Sequence, residues 1–133
     1  MKSDLLPLLE ATIDGKIDSP EASSIEWDQR PAVTVVLASG GYPGKYETGK
    51  SISGLGKAAE LDGVQIFHAG TKRINSEIVT SGGRVLAVTA LGSTLEAARA
   101  RAYEAVSRIH FENCHYRSDI ALSAVTDNIA KLR

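Results

Sequence analysis

A chain of 133 residues, 43% of them hydrophobic, is sized for one ordinary domain whose core needs no disulfide or metal staple. Its 15 Lys and Arg against 16 Asp and Glu leave a net charge of -1, which gives no electrostatic ground for nucleic acid or an anionic membrane as partner. One cysteine, Cys114, excludes an internal disulfide and fits a reducing compartment. No apolar run approaches the roughly 20 residues that span a bilayer, and Asp4 follows Lys2 too soon for a signal peptide. A soluble cytoplasmic protein is expected.

In chain order, the first segment reads as a short helix: Ser3 as N-cap, Asp4 at the positive end, Pro7 in the first turn. Leu5, Leu6, Leu8 and Leu9 give it an apolar face and Gly15 ends it. Residues 16–30 are polar and irregular, with Ser19-Pro20, Ser23-Ser24 and one large anchor, Trp27, and predict a segment crossing a surface. Asp14, Asp18, Glu21, Glu26 and Asp28 read there as solvated charges. Residues 33–38 are a β-branched run between Pro31 and Gly40-Gly41, which predicts a buried strand. A glycine-rich loop over 39–56 follows, then one or two helical turns at 57–61 ending at Gly63, and an alternating strand at 64–68.

Residues 78–80 and 85–89 flank Gly82-Gly83, predicting a hairpin with a glycine turn. Ser93 and Glu96 have capping-box spacing. Behind them Leu95, Ala98, Ala102, Val106 and Ile109 form one helical stripe, with Glu96, Arg99, Arg101, Glu104 and Arg108 mostly off it. Leu122, Val125, Ile129 and Leu132 place a last helix within 120–132. The sum is an α+β domain: a small, mainly antiparallel sheet with a long helix against it.

Two patterns suggest chemistry and lack its context. Residues 44–51, Gly44-Lys45-Tyr46-Glu47-Thr48-Gly49-Lys50-Ser51, match the phosphate-cradling P-loop, in which Lys50 would reach a phosphate and Ser51 a Mg²⁺. Such a loop runs straight from a strand and opens a helix. Here Ser39 to Pro43 intervene before it, and Gly54 and Gly56 follow it too closely for a helix. His110, Cys114 and His115 form an incomplete zinc set without a fourth ligand at usable spacing, and nothing marks Cys114 as an activated nucleophile.

Several glycine-rich words stand in a fixed order. They are Leu37-Ala38-Ser39-Gly40-Gly41-Tyr42-Pro43-Gly44, Phe67-His68-Ala69-Gly70-Thr71, Thr80-Ser81-Gly82-Gly83-Arg84-Val85-Leu86, Ala100-Arg101-Ala102-Tyr103 with Ile109-His110-Phe111, and His115-Tyr116-Arg117-Ser118-Asp119-Ile120. Together with Lys2-Ser3-Asp4-Leu5 they resemble the carboxy-terminal domain of the phosphoribosylamine–glycine ligase (glycinamide ribonucleotide synthetase) family, over about residues 2–120. Ala87, Ser93, Asn113-Cys114 and Ser51 depart from that pattern, and the last of these alone completes the P-loop match.

The resemblance implies an ATP-grasp ligase of purine biosynthesis that joins glycine to 5-phosphoribosylamine with ATP and Mg²⁺ (or Mn²⁺), through an acyl phosphate, to give glycinamide ribonucleotide. It implies a barrel-like β domain of the rudimentary single hybrid motif type with one flanking long helix and terminal helices. The implied divisions are 1–30 as the end of the ATP-grasp domain and a connecting segment, 31–120 as the carboxy-terminal domain, and 121–133 as a helical tail. The family places its ATP clamp and metal-holding residues upstream of Met1. An excised domain or half of a split protein is therefore expected, with no catalytic residue, cofactor or metal of its own, inactive alone and partnered by the upstream ATP-grasp portion.

The residues implied to touch phosphoribosylamine or product are Gly41, Tyr42, Gly44 and Lys45 in the first loop, His68 at a strand end, and Gly82, Gly83 and Arg84 in the glycine turn. Related ATP-grasp enzymes place basic residues near a ribose 5-phosphate at the matching hairpin, which singles out Arg84, since a guanidinium grips phosphate bidentately. Read from the residues alone, Arg84 is a solvated charge and His68 a structural hydrogen-bonder, while the loop of residues 40–45 fits a tight turn as well as it fits closing over a substrate. Three functions stay open: the substrate side of the ligase site, a non-catalytic packing and binding module of the same fold, and a nucleotide hydrolase using residues 44–51.

Overall fold

A computed structural model describes residues 1–20 and 24–131. Glu21, Ser23, Leu132 and the side chain of Ile129, named above, lie outside what is described. Helix α1 spans Leu6–Ile13. Its first N–H, from Leu6, donates to Asp4 Oδ1 at 3.0 Å. Ser3 is not its cap: Ser3 Oγ accepts from the Glu26 N–H at 2.7 Å and ties the amino-terminal end to the connecting segment. The far end closes as expected. Gly15 takes φ +66°, Lys16 N–H donates to Ala11 O and Gly15 N–H to Thr12 O, the paired bonds of a Schellman motif. Leu5, Leu6, Leu9 and Ile13 are all exposed, so the apolar face of α1 stands open among the described residues.

The core is built on strands β1 (Ala32–Ala38), β2 (Val64–His68) and β5 (Arg84–Leu91). All pair antiparallel, with β5 between β1 and β2. Val33, Val35 and Leu37 stand opposite Ala90, Val88 and Leu86 and are buried. Each of these Val and Leu side chains contributes about 1.5–3 kcal/mol by leaving water. Helix α3 (Leu95–Ser107) covers this face with Ala98, Ala102, Ala105 and Val106, side chains small enough for close approach. Its N-cap is Thr94, one residue later than the sequence pattern indicates: Thr94 Oγ1 accepts from Ala97 N–H at 3.1 Å, and Glu96 lies in the first turn. Helix α2 spans Leu55–Ala59 and α4 spans Leu122–Lys131.

The predicted glycine-turn hairpin does not form. Strand β4 (Glu77–Thr80) pairs with β3 (Thr71–Ile74), across a two-residue turn in which Asn75 and Ser76 both have positive φ. That is the turn whose twist matches paired strands. Gly82-Gly83 instead carries the chain from one sheet to the other. The free edge of β4 binds residues 49–52: Gly49 N–H donates to Thr80 O and Ile52 N–H to Ile78 O. Ser53 bridges His110, and His115 bridges Ala38 at the edge of β1. Backbone hydrogen bonds thereby link both sheets in a small mixed α/β domain.

Candidate functional site

Opposed residues of β1 and β5 run in step to Leu37 and Leu86, then shift so that Ala38 faces Arg84. Val85 is the extra residue of this bulge and is fully buried. In an unbroken strand Arg84 would share the core-facing side with Leu86. The bulge turns it to the opposite face, beside Thr34, Val36 and Ala38. There it lines a cleft of about 400 Å³. Tyr42 and Pro43 form one wall, and His115, Tyr116, Arg117 and Ile120 line the rest. Among the described residues the Arg84 side chain has no hydrogen bond or ion pair; its backbone carbonyl accepts from Gly70 N–H at 2.8 Å.

The wall bearing Tyr42 is held by the glycines beneath it. Buried Ser39 donates its N–H to Gly83 O at 2.8 Å and its hydroxyl to Gly82 O at 2.9 Å. The Tyr42 and Tyr46 rings lie over Gly83, and a Cβ there would strike the Tyr42 ring. Gly41 has φ +93° with the Lys45 carbonyl against it, and Gly44 folds back onto Gly41 O. The opposite wall hangs from α3. Tyr103 OH donates to Arg117 O at 2.6 Å and accepts from Ile120 N–H at 3.1 Å, while Arg99 donates to Ser118 O and Ile120 O. Arg117 is committed to Asp119 at 2.6 Å, which holds that carboxyl below its ordinary range.

Of the residues the sequence singled out, Tyr42 and Arg84 share the cleft. Gly41, Gly44 and Lys45 belong to the loop that carries its wall, and Gly82 and Gly83 underlie that loop. His68 stands apart. Strand alternation sets it opposite Leu86, on the core-facing side of the sheet. It lines a separate groove with Leu55 and Ala59, and its Nδ1 is 3.0 Å from Thr71 Oγ1. Ala38 and His115, which also line the cleft, stand in the resembling words but were not singled out for it, His115 being weighed singly only as a metal ligand; the contact that brings them together is non-local and leaves no signal in the chain. Among the described residues no group of three or more His, Cys, Asp or Glu is placed to hold a metal ion. Burial pushes the half-buried Cys114 thiol up to about 11, so it stays protonated at neutral pH, opposite to what a nucleophile needs.

The P-loop match has the wrong shape. Ser51 bridges Val79, Ser53 bridges His110, and α2 starts only at Leu55, so the chain after Lys50 is extended where a phosphate-binding helix should open. Lys50 is held by Glu47 at 2.8 Å and Glu112 at 2.9 Å, which raises its pKa and occupies its charge. Calorimetry of the chain with ATP and Mg²⁺ is expected to show no saturable heat. Saturable binding that Lys50→Met abolishes would mean that the loop rearranges into a nucleotide site.

The family model described as "Phosphoribosylglycinamide synthetase, C domain" matches residues 32–123. Proteins named phosphoribosylamine–glycine ligase are similar over almost the whole chain. That of Rhodopirellula baltica is 44% identical over 125 residues, which is 94% of this chain and 28% of that protein. That of Pseudomonas aeruginosa is 47% identical over 125 residues, with the same two coverages. The crystal structure of the Thermotoga maritima phosphoribosylamine–glycine ligase superposes with a TM-score of 0.64 at 37% identity, covering 84% of this chain and 28% of that one. The chain thus spans about 28% of the length of the curated relatives it matches.

Proposed function

The chain belongs to the phosphoribosylglycinamide synthetase C-domain family, and on that premise we propose that it is the carboxy-terminal part of a ligase joining glycine to 5-phosphoribosylamine with ATP in purine biosynthesis. Its task in this reading is to hold the phosphoribosylamine and glycinamide ribonucleotide end of the site. The observation that carries the proposal is the bulge that turns an unpaired Arg84 out of the core and into a cleft. A free guanidinium in a partly apolar recess binds a phosphate monoester more strongly than one already neutralised by a carboxylate. The Gly41–Tyr42–Gly44–Lys45 loop, pinned through Gly82 and Gly83, supplies an aromatic wall for the ribosyl group and a second exposed cation.

ATP and its Mg²⁺ or Mn²⁺ do not fit the donors present here. Near the P-loop match Glu47 and Glu112 pair with Lys50 and Glu77 accepts from Ser51 Oγ, and among the described residues no three acidic, His or Cys side chains are grouped to hold a metal. The reading therefore assigns the nucleotide, the metal and the catalytic groups to an ATP-grasp portion outside this chain. A cytoplasmic setting belongs to the same proposal; no helix among the described residues is long and apolar enough to cross a membrane.

The test is reconstitution. The chain alone is expected to release no ADP from ATP, glycine and phosphoribosylamine. Mixed with a separately produced ATP-grasp portion of the ligase, it is expected to restore turnover. A stable complex without turnover would favour a non-catalytic packing module, and no complex at all would sink the ligase reading.

A further inference from the structure

Ala38, at the end of β1, lies between β5 and the bridging residue His115. It faces Arg84 of β5 on one side. On the other it exchanges both backbone bonds with His115, Ala38 N–H to His115 O at 2.7 Å and His115 N–H to Ala38 O at 2.9 Å. Directly opposed residues of antiparallel strands present their side chains on the same face. Arg84 and His115 therefore rise from the same face on either side of Ala38, two strand spacings or about 10 Å apart at the backbone. Both line the cleft, and the small side chain of buried Ala38 lines it between them.

Neither side chain has a hydrogen bond or ion pair among the described residues, whereas the adjacent Arg117 is taken by Asp119. His115 is exposed, and its place is fixed by its own backbone bridge and by the Tyr103 and Arg99 bonds just beyond it. Two free donors thus line one cleft on either side of Ala38, an arrangement suited to gripping a tetrahedral anion from two sides.

We propose that His115 is a second recognition residue of this cleft, donating a ring N–H to the same phosphate monoester that Arg84 binds, so that a ribose 5-phosphate group is held across Ala38. This rests on the reading of Arg84 given above. It adds a residue, and a reason for the small side chain at position 38.

The experiment is an NMR titration of the 133-residue chain with ribose 5-phosphate, with ribose as the control. The wild-type chain is expected to saturate, with shifts at 38, 84 and 115, and ribose is expected to bind no more than marginally. His115→Ala should weaken binding about tenfold, the usual worth of one hydrogen bond to a charged group. His115→Gln keeps an N–H donor and should recover most of that loss. If Arg84→Ala weakens binding and His115→Ala does not, the His115 proposal falls and the Arg84 reading survives. A loss in His115→Ala that Gln does not recover assigns the effect to packing and also overturns the proposal. If Arg84→Ala binds as tightly as wild type, or the wild-type chain does not bind ribose 5-phosphate, both readings fall together.

Discussion

In the proposed ligase, reconstituted from this chain and a separately produced ATP-grasp portion, Arg84→Ala is expected to raise the KM for phosphoribosylamine about a hundredfold. The figure follows from losing two parallel charge-assisted hydrogen bonds, about 3 kcal/mol together. The KM values for glycine and ATP should stay where they are, because Arg84 faces a cleft that in this reading receives only the phosphoribosyl end. Arg84→Lys should recover only part of the loss, since a point charge replaces a planar fork. Stability should hardly change: the side chain is exposed and has no partner among the described residues, and such surface substitutions usually stay within about 0.5 kcal/mol. Equal rises for all three substrates, or a fall in the unfolding midpoint, would instead assign Arg84 to the fold.

What the sequence made legible follows the range of the forces involved. The β1 and β2 strands and the α3 stripe are local periodicities, and each lies within a residue or two of its expected place. The cap of α3 slipped from Ser93 to Thr94 because two adjacent hydroxyl residues are equally good candidates, and only the helix entry angle chooses between them. The glycine turn was misread because a two-residue turn at Asn75-Ser76, with β3 before it, captures β4 first. Gly82 and Gly83 were visible as special, but their reason was not: it is the approach of Gly70 and the two tyrosine rings, all from elsewhere in the chain.

The cleft was legible only in part. The glycine-rich words pointed to Tyr42 and Arg84, and the family match over residues 32–123 agrees with the resemblance those words carried. Which face Arg84 occupies depends on one bulge residue, Val85, that no alternation pattern announces. His68 shows the converse. Its alternation was correct, yet which parity faces the core follows only from its pairing with Leu86.

Gly54→Ala is expected to destabilise the chain by about 2–5 kcal/mol, lowering its unfolding midpoint on the order of 10 °C. Gly54 has φ +82°, a backbone state that costs an L-residue about 1–2 kcal/mol. A Cβ there would also land on the Arg108 carbonyl oxygen. Neither backbone can step back. Ser53 and His110 exchange hydrogen bonds at 2.9 and 3.1 Å, and Arg108 Nη1 donates to Lys57 O at 2.9 Å. Gly56, two residues on, is the internal control. It sits in α2 with nothing within 4 Å of an added Cβ, so Gly56→Ala should be neutral or stabilise by up to about 1 kcal/mol. Urea unfolding of both variants checks the pair; a Gly54→Ala midpoint equal to that of Gly56→Ala would refute the close packing.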